Sequence, residues 1–238
     1  MVVDVDEIAS SLRRFVHTYN TQFQKLSGRK SQLLEIGALM IAAQHYERNG
    51  YQVSLCNPRG GQLRVKLGTR GDPWNFSRFQ VVKGKRRFEI HTNLPVADAL
   101  ATKGARYVAD VVVVPAGVVP CTKPATGPKW TVLSNGELVT FIEAKALVIY
   151  PMLIAQFIGI VHELKPGFLL GRRPRGFSAA KHFDPALVSL GYLHGTCWNI
   201  VAGFKGRKLY VRVVPEFDRA IARLNLDDDT DSPLDTRP

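Results

Sequence analysis

Apolar positions along the chain recur at two spacings, one helical and one strand-like. Ile8, Leu12, Phe15, Val16, Tyr19, Phe23 and Leu26 follow the three-to-four-residue spacing of a helix. They predict an amphipathic helix over about 5–27, started by Asp4 or Asp6 and stopped at Ser27-Gly28. A second helix is predicted over 32–49, with Ser31 as N-cap and Gly50 just past its end. Leu33, Leu34, Ile36, Leu39, Met40, Ile41 and Ala43 cover most of its circumference, so it is expected to be buried. Strands are predicted over 51–55, 63–67, 79–82, 88–94, 107–114 and 138–144. The run at 107–114 has Val at 108, 111, 112, 113 and 114, the pattern of a strand covered on both faces. A helix over 147–164 follows, then a short helix after Asp184-Pro185. A hairpin of 198–204 and 208–214 turns at Lys205-Gly206-Arg207, and a last helix opens at Pro215. This order is that of an α/β or α+β domain.

Composition and charge narrow the class. The chain has 238 residues, of which 45% are hydrophobic and 22% charged, which excludes wholesale disorder and collagen-like repeats. One domain over 1–225 is expected, with its core over about 31–214. Residues 226–238 hold five Asp and one Arg and read as an acidic, disordered tail. The whole chain carries +12, so the 225 residues before the tail carry +16. A body this basic points to a polyanionic partner, most often nucleic acid. Cys56, Cys121 and Cys197 lack the spacing of a zinc site or a disulfide framework. The acidic N-terminus and the absence of a 20-residue apolar run lead us to expect a cytoplasmic protein with no membrane span.

The candidate chemistry lies on two strands. Asp110 sits in Tyr107-Val108-Ala109-Asp110-Val111-Val112, and Glu143 in Phe141-Ile142-Glu143-Ala144-Lys145. An ionised carboxylate within a buried strand is costly unless it is paired or bound to a metal. Alternation puts Glu143 and Lys145 on one side of their strand. If the two strands are neighbours, Asp110, Glu143 and Lys145 converge. Two carboxylates with backbone oxygen and water suit Mg²⁺, and a lysine beside them can orient a water or stabilise charge on a phosphate. The same residues would also serve as a buried ion pair without catalysis. Glu89, His91 and Asn93 alternate on a strand, and either line the cleft as accessory groups or form the solvated face of an edge strand. Two basic runs are candidates for phosphate contact, Lys83, Lys85, Arg86 and Arg87 in one, and Arg172, Arg173 and Arg175 in the other.

The pattern of Asp110 followed by E-x-K on a central strand resembles the restriction-endonuclease-like superfamily of PD-(D/E)xK nucleases. The resemblance covers about 31–165. It implies an α/β fold with an αβββαβ core, here flanked by the N-terminal helix and by the C-terminal hairpin and helix. It implies Asp110, Glu143 and Lys145 as catalytic residues, with Mg²⁺ (or Mn²⁺) held by Asp110 and Glu143. Glu35, on the first core helix, matches an acid that often joins the metal site; it also reads as an ordinary first-turn Glu. Gln156 matches a Gln often found on the helix after E-x-K; it reads equally as a structural polar residue. Ala109 stands where the family name has Pro, and 32 residues separate Asp110 from Glu143, which requires the Pro-rich loop as an insertion. The activity implied is Mg²⁺-dependent endonucleolytic cleavage of DNA, double-stranded by expectation, by a defence or restriction-type enzyme or a junction resolvase. A dimer is expected, since two-strand cutting is simplest with two sites. The alternative is a non-catalytic nucleic-acid-binding module that keeps the fold.

Overall fold

Consecutive apolar residues in a strand can all be buried only if both faces of the sheet are covered. The computed structural model, which describes residues 10, 14, 17, 30–56, 63–99, 104–123, 132–178 and 181–217, is a mixed α/β structure of that kind. Its elements run α1 (Lys30–Arg48), β1 (Gln52–Cys56), β2 (Arg78–Lys83), β3 (Arg86–Ala97), β4 (Arg106–Pro115), β5 (Thr140–Lys145), α2 (Pro151–Leu164), β6 (Ala186–Ser189), α3 (Cys197–Gly206) and β7 (Arg212–Val214). The seven strands form one sheet in sequence order. Pairing is antiparallel from β1 to β5 and parallel from β5 to β7. Val111 and Val113 of β4 face α1, packing with Leu33, Ile36, Met40 and Tyr46. Val112 and Val114 face the other way, into a core with Leu153, Phe157 and Val161 of α2 and Cys197 and Phe204 of α3. Among the described residues no helix is long and apolar enough to cross a membrane.

α1 is buried on most of its circumference, as its sequence predicts. Gly37 marks the tightest contact, because a Cβ there would collide with the Phe217 ring. The buried Phe217 therefore packs directly on the helix backbone.

Several expectations are corrected. Residues 198–204 are helix, within α3, and no hairpin joins them to β7. Cys197, Val201 and Phe204 stand at helical spacing, with Cys197 and Phe204 buried, and that spacing outweighs the β propensity of Ile200 and Val201. The segment after Asp184-Pro185 is not helix but β6, four residues buried throughout and paired in parallel with β5 and β7. Residues 63–67 form no strand; the Lys66 amide is bound by the Thr92 hydroxyl rather than by a neighbouring ladder. α2 starts at Pro151 rather than at 147, since proline fits only the first turn of a helix. The predicted helix at 5–27 lies outside the described residues apart from Ser10, Arg14 and His17, which are helical. The last helix beyond Phe217 and the acidic tail also lie outside them.

Candidate active site

Strand pairing opens around Asp110. The β3–β4 register passes from Thr92↔Val111 to Leu94↔Ala109 without pairing Asn93 with Asp110. The β4–β5 register ends at Val111↔Ile142. Beyond it the Ala144 amide donates to the Asp110 carboxylate at 2.7 Å, so a side chain replaces the next rung of the ladder. Alternation would place Ala109 and Val111 on one face. Instead Val111 packs beneath α1 and Ala109 beneath α2, so β4 rotates at this notch. Asn93 is left-handed at φ 50°, a conformation that Asn tolerates better than most residues.

Four charged groups meet at the notch. Lys145 donates to Glu143 Oε1 at 2.5 Å. Glu143 is buried, and its Oε2 has no hydrogen-bond partner among the described residues. On α1, Glu35 Oε2 accepts from Asn93 Nδ2 at 2.6 Å. Burial raises Glu35 to about 7, the Asn93 bond opposes this, and the charge of Asp110 adds to it. Burial and the charge of Asp110 likewise raise Glu143 to about 7 against the pull of Lys145. Burial raises Asp110, although the Ala144 amide and Lys145 favour its ionised form. Burial disfavours the Lys145 ammonium, but Glu143, Asp110 and Glu35 outweigh it and hold the lysine protonated. Three carboxyls crowded against one cation leave an excess of negative charge that a divalent cation would neutralise. Hard oxygen donors and an orphaned carboxylate oxygen fit Mg²⁺, which binds through one or two carboxylates and keeps several waters. Among the described residues no group of three or more His, Cys, Asp and Glu side chains is placed to hold a metal ion, so an ion here would rest on one or two carboxylates, with water completing its shell.

Asn93, a candidate for lining the cleft, reaches the notch with the help of Lys66, which escapes a reading of the sequence alone. Lys66, buried, donates to Asn93 O at 2.6 Å, Gly68 O at 2.9 Å and Thr69 O at 3.2 Å. Asn93 Nδ2 in turn donates to Lys66 O at 2.8 Å. The pair holds Asn93 in its strained conformation and aims it at Glu35. No motif marks Lys66, because its role depends on a gap in strand pairing.

The accessory candidates fall elsewhere. Glu89 and His91 do not form the solvated face of an edge strand. β3 is interior, the two side chains are 3% and 5% exposed, and Glu89 accepts from Arg78 at 3.2 Å with His91 at the same distance. Their cross-strand partners, Val114 and Val112, place them on the α2 face, where the Cys121 thiol also donates to Glu89 at 3.7 Å. Gln156 is exposed on α2, and no hydrogen bond among the described residues ties it to the notch.

The basic runs do not flank the notch. Lys83, Lys85, Arg86 and Arg87 lie at the exposed β2–β3 turn. Arg86 is seven residues from Asn93, about 23 Å along the strand. Lys83 donates to Asn49 O at 2.6 Å. Arg173 is held by Asp184 through two 2.9 Å bonds and lies 4.4 Å from the Tyr210 ring centre, while Arg172 and Arg175 are exposed. The two runs instead approach each other. Burial lowers His182 to about 4, helped by His45, Lys181 and Arg86. Burial and Arg212 lower His45 to about 4, with Arg48 adding to the effect. A basic end of the sheet therefore surrounds His45 and His182. Along α1, His45 lies about 15 Å from Glu35.

The raised carboxyls carry a prediction. Glu35 and Glu143 titrate near 7 here against 4.5 ordinarily. Their favourable contribution is complete below 4.5 and lost as pH rises through 7. His45 and His182 act in the opposite sense, losing stability as pH falls from 6.5 through about 4. A difference between metal-loaded and metal-free protein cancels the histidines. Mg²⁺ or Ca²⁺ is therefore expected to raise Tm more at pH 8 than at pH 5, where the carboxyls are protonated. Thermal denaturation at both pH values checks this, and an equal shift at both would contradict it.

No protein-family model matches the chain, and no curated protein sequence does.

Proposed function

We propose that this chain is a Mg²⁺- or Mn²⁺-dependent endonuclease that hydrolyses phosphodiester bonds of DNA. The observation that carries the reading is the convergence of Asp110, Glu143, Lys145 and Glu35 at a gap in strand pairing, with one carboxylate oxygen orphaned. The order of α1, the antiparallel strands through β5, α2 and the parallel β6 supports the restriction-endonuclease-like core that the motif implies. Asp110 and Glu143 would hold the ion, with Glu35 beside them. When bound, the ion supplies Lewis acidity toward the phosphoryl oxygens. Lys145, held protonated by Glu143, orients the attacking water and stabilises charge that develops on the phosphate. The Asp110–Ala144 and Glu35–Asn93 bonds fix two of the acids before substrate arrives, which lowers the cost of assembling the site.

Incubation with supercoiled, linear and branched DNA, and with RNA, in Mg²⁺ and in EDTA tests the activity. Cleavage confined to the Mg²⁺ reactions is expected. Salt-dependent binding with no cleavage of any substrate would favour a non-catalytic binding module.

The basic end is the proposed duplex contact. Its separation from the notch, about 15 Å along α1 and about 23 Å along β3, corresponds to about four to seven base pairs of duplex. Replacing Lys85, Arg86 and Arg87 by Ala is expected to flatten the log–log salt dependence of DNA affinity by up to about three units, one for each phosphate left without its cation. Fluorescence anisotropy across a salt series in Ca²⁺ measures the slope, and an unchanged slope would place the DNA path elsewhere.

A further inference from the structure

An exposed apolar surface begins two residues beyond Lys145. Leu147 is 50% exposed, Tyr150 40%, Met152 61%, Tyr192 52% and Trp198 56%. The backbone shows why they share a surface. Ile149 and Leu193 pair in parallel beyond the ends of β5 and β6, and both are buried. Alternation then turns Val148 and Tyr150 outward from one loop, and Tyr192 and His194 from the other. The Ile149 amide donates to Tyr192 O at 2.9 Å, and the His194 amide donates to Ile149 O at 2.8 Å. A Cβ at Gly191 would come within 2.5 Å of Val148 Cα, so glycine permits the two loops to close. Trp198 stands in the first turn of α3, just after this pairing. The rings are thus displayed on hydrogen-bonded backbone.

The charge around them selects an occupant. Lys145 stands two residues before Leu147, and the whole chain carries +12. A second copy of the chain would bring +12 against +12. A polyanion with apolar, stackable faces matches both features. Bases locked in a duplex present only edges, whereas unpaired bases present faces on which aromatic rings stack without sequence preference.

We propose that Tyr150, Tyr192 and Trp198 form a stacking platform for unpaired bases of a strand whose backbone reaches the Lys145 site, so that the preferred substrate carries a single-stranded segment beside the cut. This rests on reading the notch as a phosphodiester-cleaving site. The strand is held by ring faces on one side of the scissile phosphate and by Lys145 beside it. A branched or frayed duplex meets both requirements, and a blunt duplex only the second.

Anisotropy with labelled oligo-dT, a blunt hairpin duplex and the same duplex with a single-stranded overhang, all in Ca²⁺, tests the platform independently of cutting. The wild type is expected to bind oligo-dT and the overhang more tightly than the blunt duplex. Each of Tyr150→Ala, Tyr192→Ala and Trp198→Ala is expected to weaken oligo-dT binding on the order of tenfold, with blunt-duplex affinity nearly unchanged. Trp198→Phe, which keeps a ring, is expected to retain most of the affinity and guards against misfolding as the cause. Unchanged oligo-dT binding in all three Ala variants, or equal losses on both DNAs, would overturn the proposal. So would a monomer produced from a wild-type dimer by these changes, or their loss of binding to phosphatidylserine vesicles with oligo-dT binding intact. A parallel Mg²⁺ reaction separates the two readings. Stacking-dependent binding without cleavage would refute the nuclease reading, and cleavage without ring dependence would refute the platform alone.

Discussion

Asp110→Asn and Glu143→Gln are each expected to lower the Mg²⁺-dependent cleavage rate on the order of 10³-fold or more, a loss expected when a group that positions transition-state charge is removed. Each change removes a negative ligand and almost no volume, and Asn can still accept from the Ala144 amide through its carbonyl oxygen. The stability of the metal-free protein should respond differently. Glu143 is buried beside Asp110 and Glu35, and its carboxyl is driven to about 7 by burial and by the charge of Asp110. At pH 8 it is therefore ionised at a cost that a neutral amide does not incur. Glu143→Gln without metal is expected to melt no lower than the wild type, and to lose the stabilisation that Ca²⁺ gives the wild type. A purely structural Glu143–Lys145 ion pair predicts the reverse, because removing one partner leaves a half-buried ammonium unpaired. Single-turnover cleavage and thermal denaturation of the same preparations measure both effects. Nearly wild-type turnover in either variant would remove that residue from the site.

Lys145→Ala is expected to slow cleavage about 10²–10³-fold at saturating DNA while changing DNA affinity little. Its ammonium is held 2.5 Å from Glu143 and is kept protonated by Glu143, Asp110 and Glu35, so it is a fixed donor at neutral pH. Its contribution is needed where charge develops on the phosphate, which is a property of the transition state. Lys145→Arg keeps the charge but replaces a compact ammonium with a planar fork, and is expected to recover only part of the rate. A Lys145→Ala variant that cuts normally but binds DNA poorly would make the residue a phosphate contact.

The residues legible in the sequence are those whose chemistry conflicts with their surroundings. Asp110 follows an apolar strand pattern that a carboxylate interrupts, and Glu143 and Lys145 share a face by alternation alone. Glu35 is placed by the resemblance, which puts an acid on the first core helix; on its own it reads as an ordinary first-turn Glu. The long Val run of β4 is legible as a strand covered on both faces. β6 is not, because Ala186–Ser189 is too short for any periodicity and is set by its parallel partners. α3 misleads because Trp198, Ile200 and Val201 favour strands when considered singly, whereas the spacing of Cys197, Val201 and Phe204 is helical. The basic runs are legible as charge but not as location. Sequence cannot say that Arg86 acts on His182 at the far end of the sheet, or that Arg173 is engaged there by Asp184. Lys66 is opaque for the same reason, since its value to Glu35, through Asn93, comes from a break in the β3–β4 register.

The most direct measurement starts from a preformed complex of the protein with end-labelled branched DNA, assembled in Ca²⁺ and then triggered with excess Mg²⁺. A single-turnover burst of strand cleavage stoichiometric with the complex is expected, stopped by EDTA and absent from the Asp110→Asn complex. A complex that stays intact and uncut after Mg²⁺ addition would contradict it.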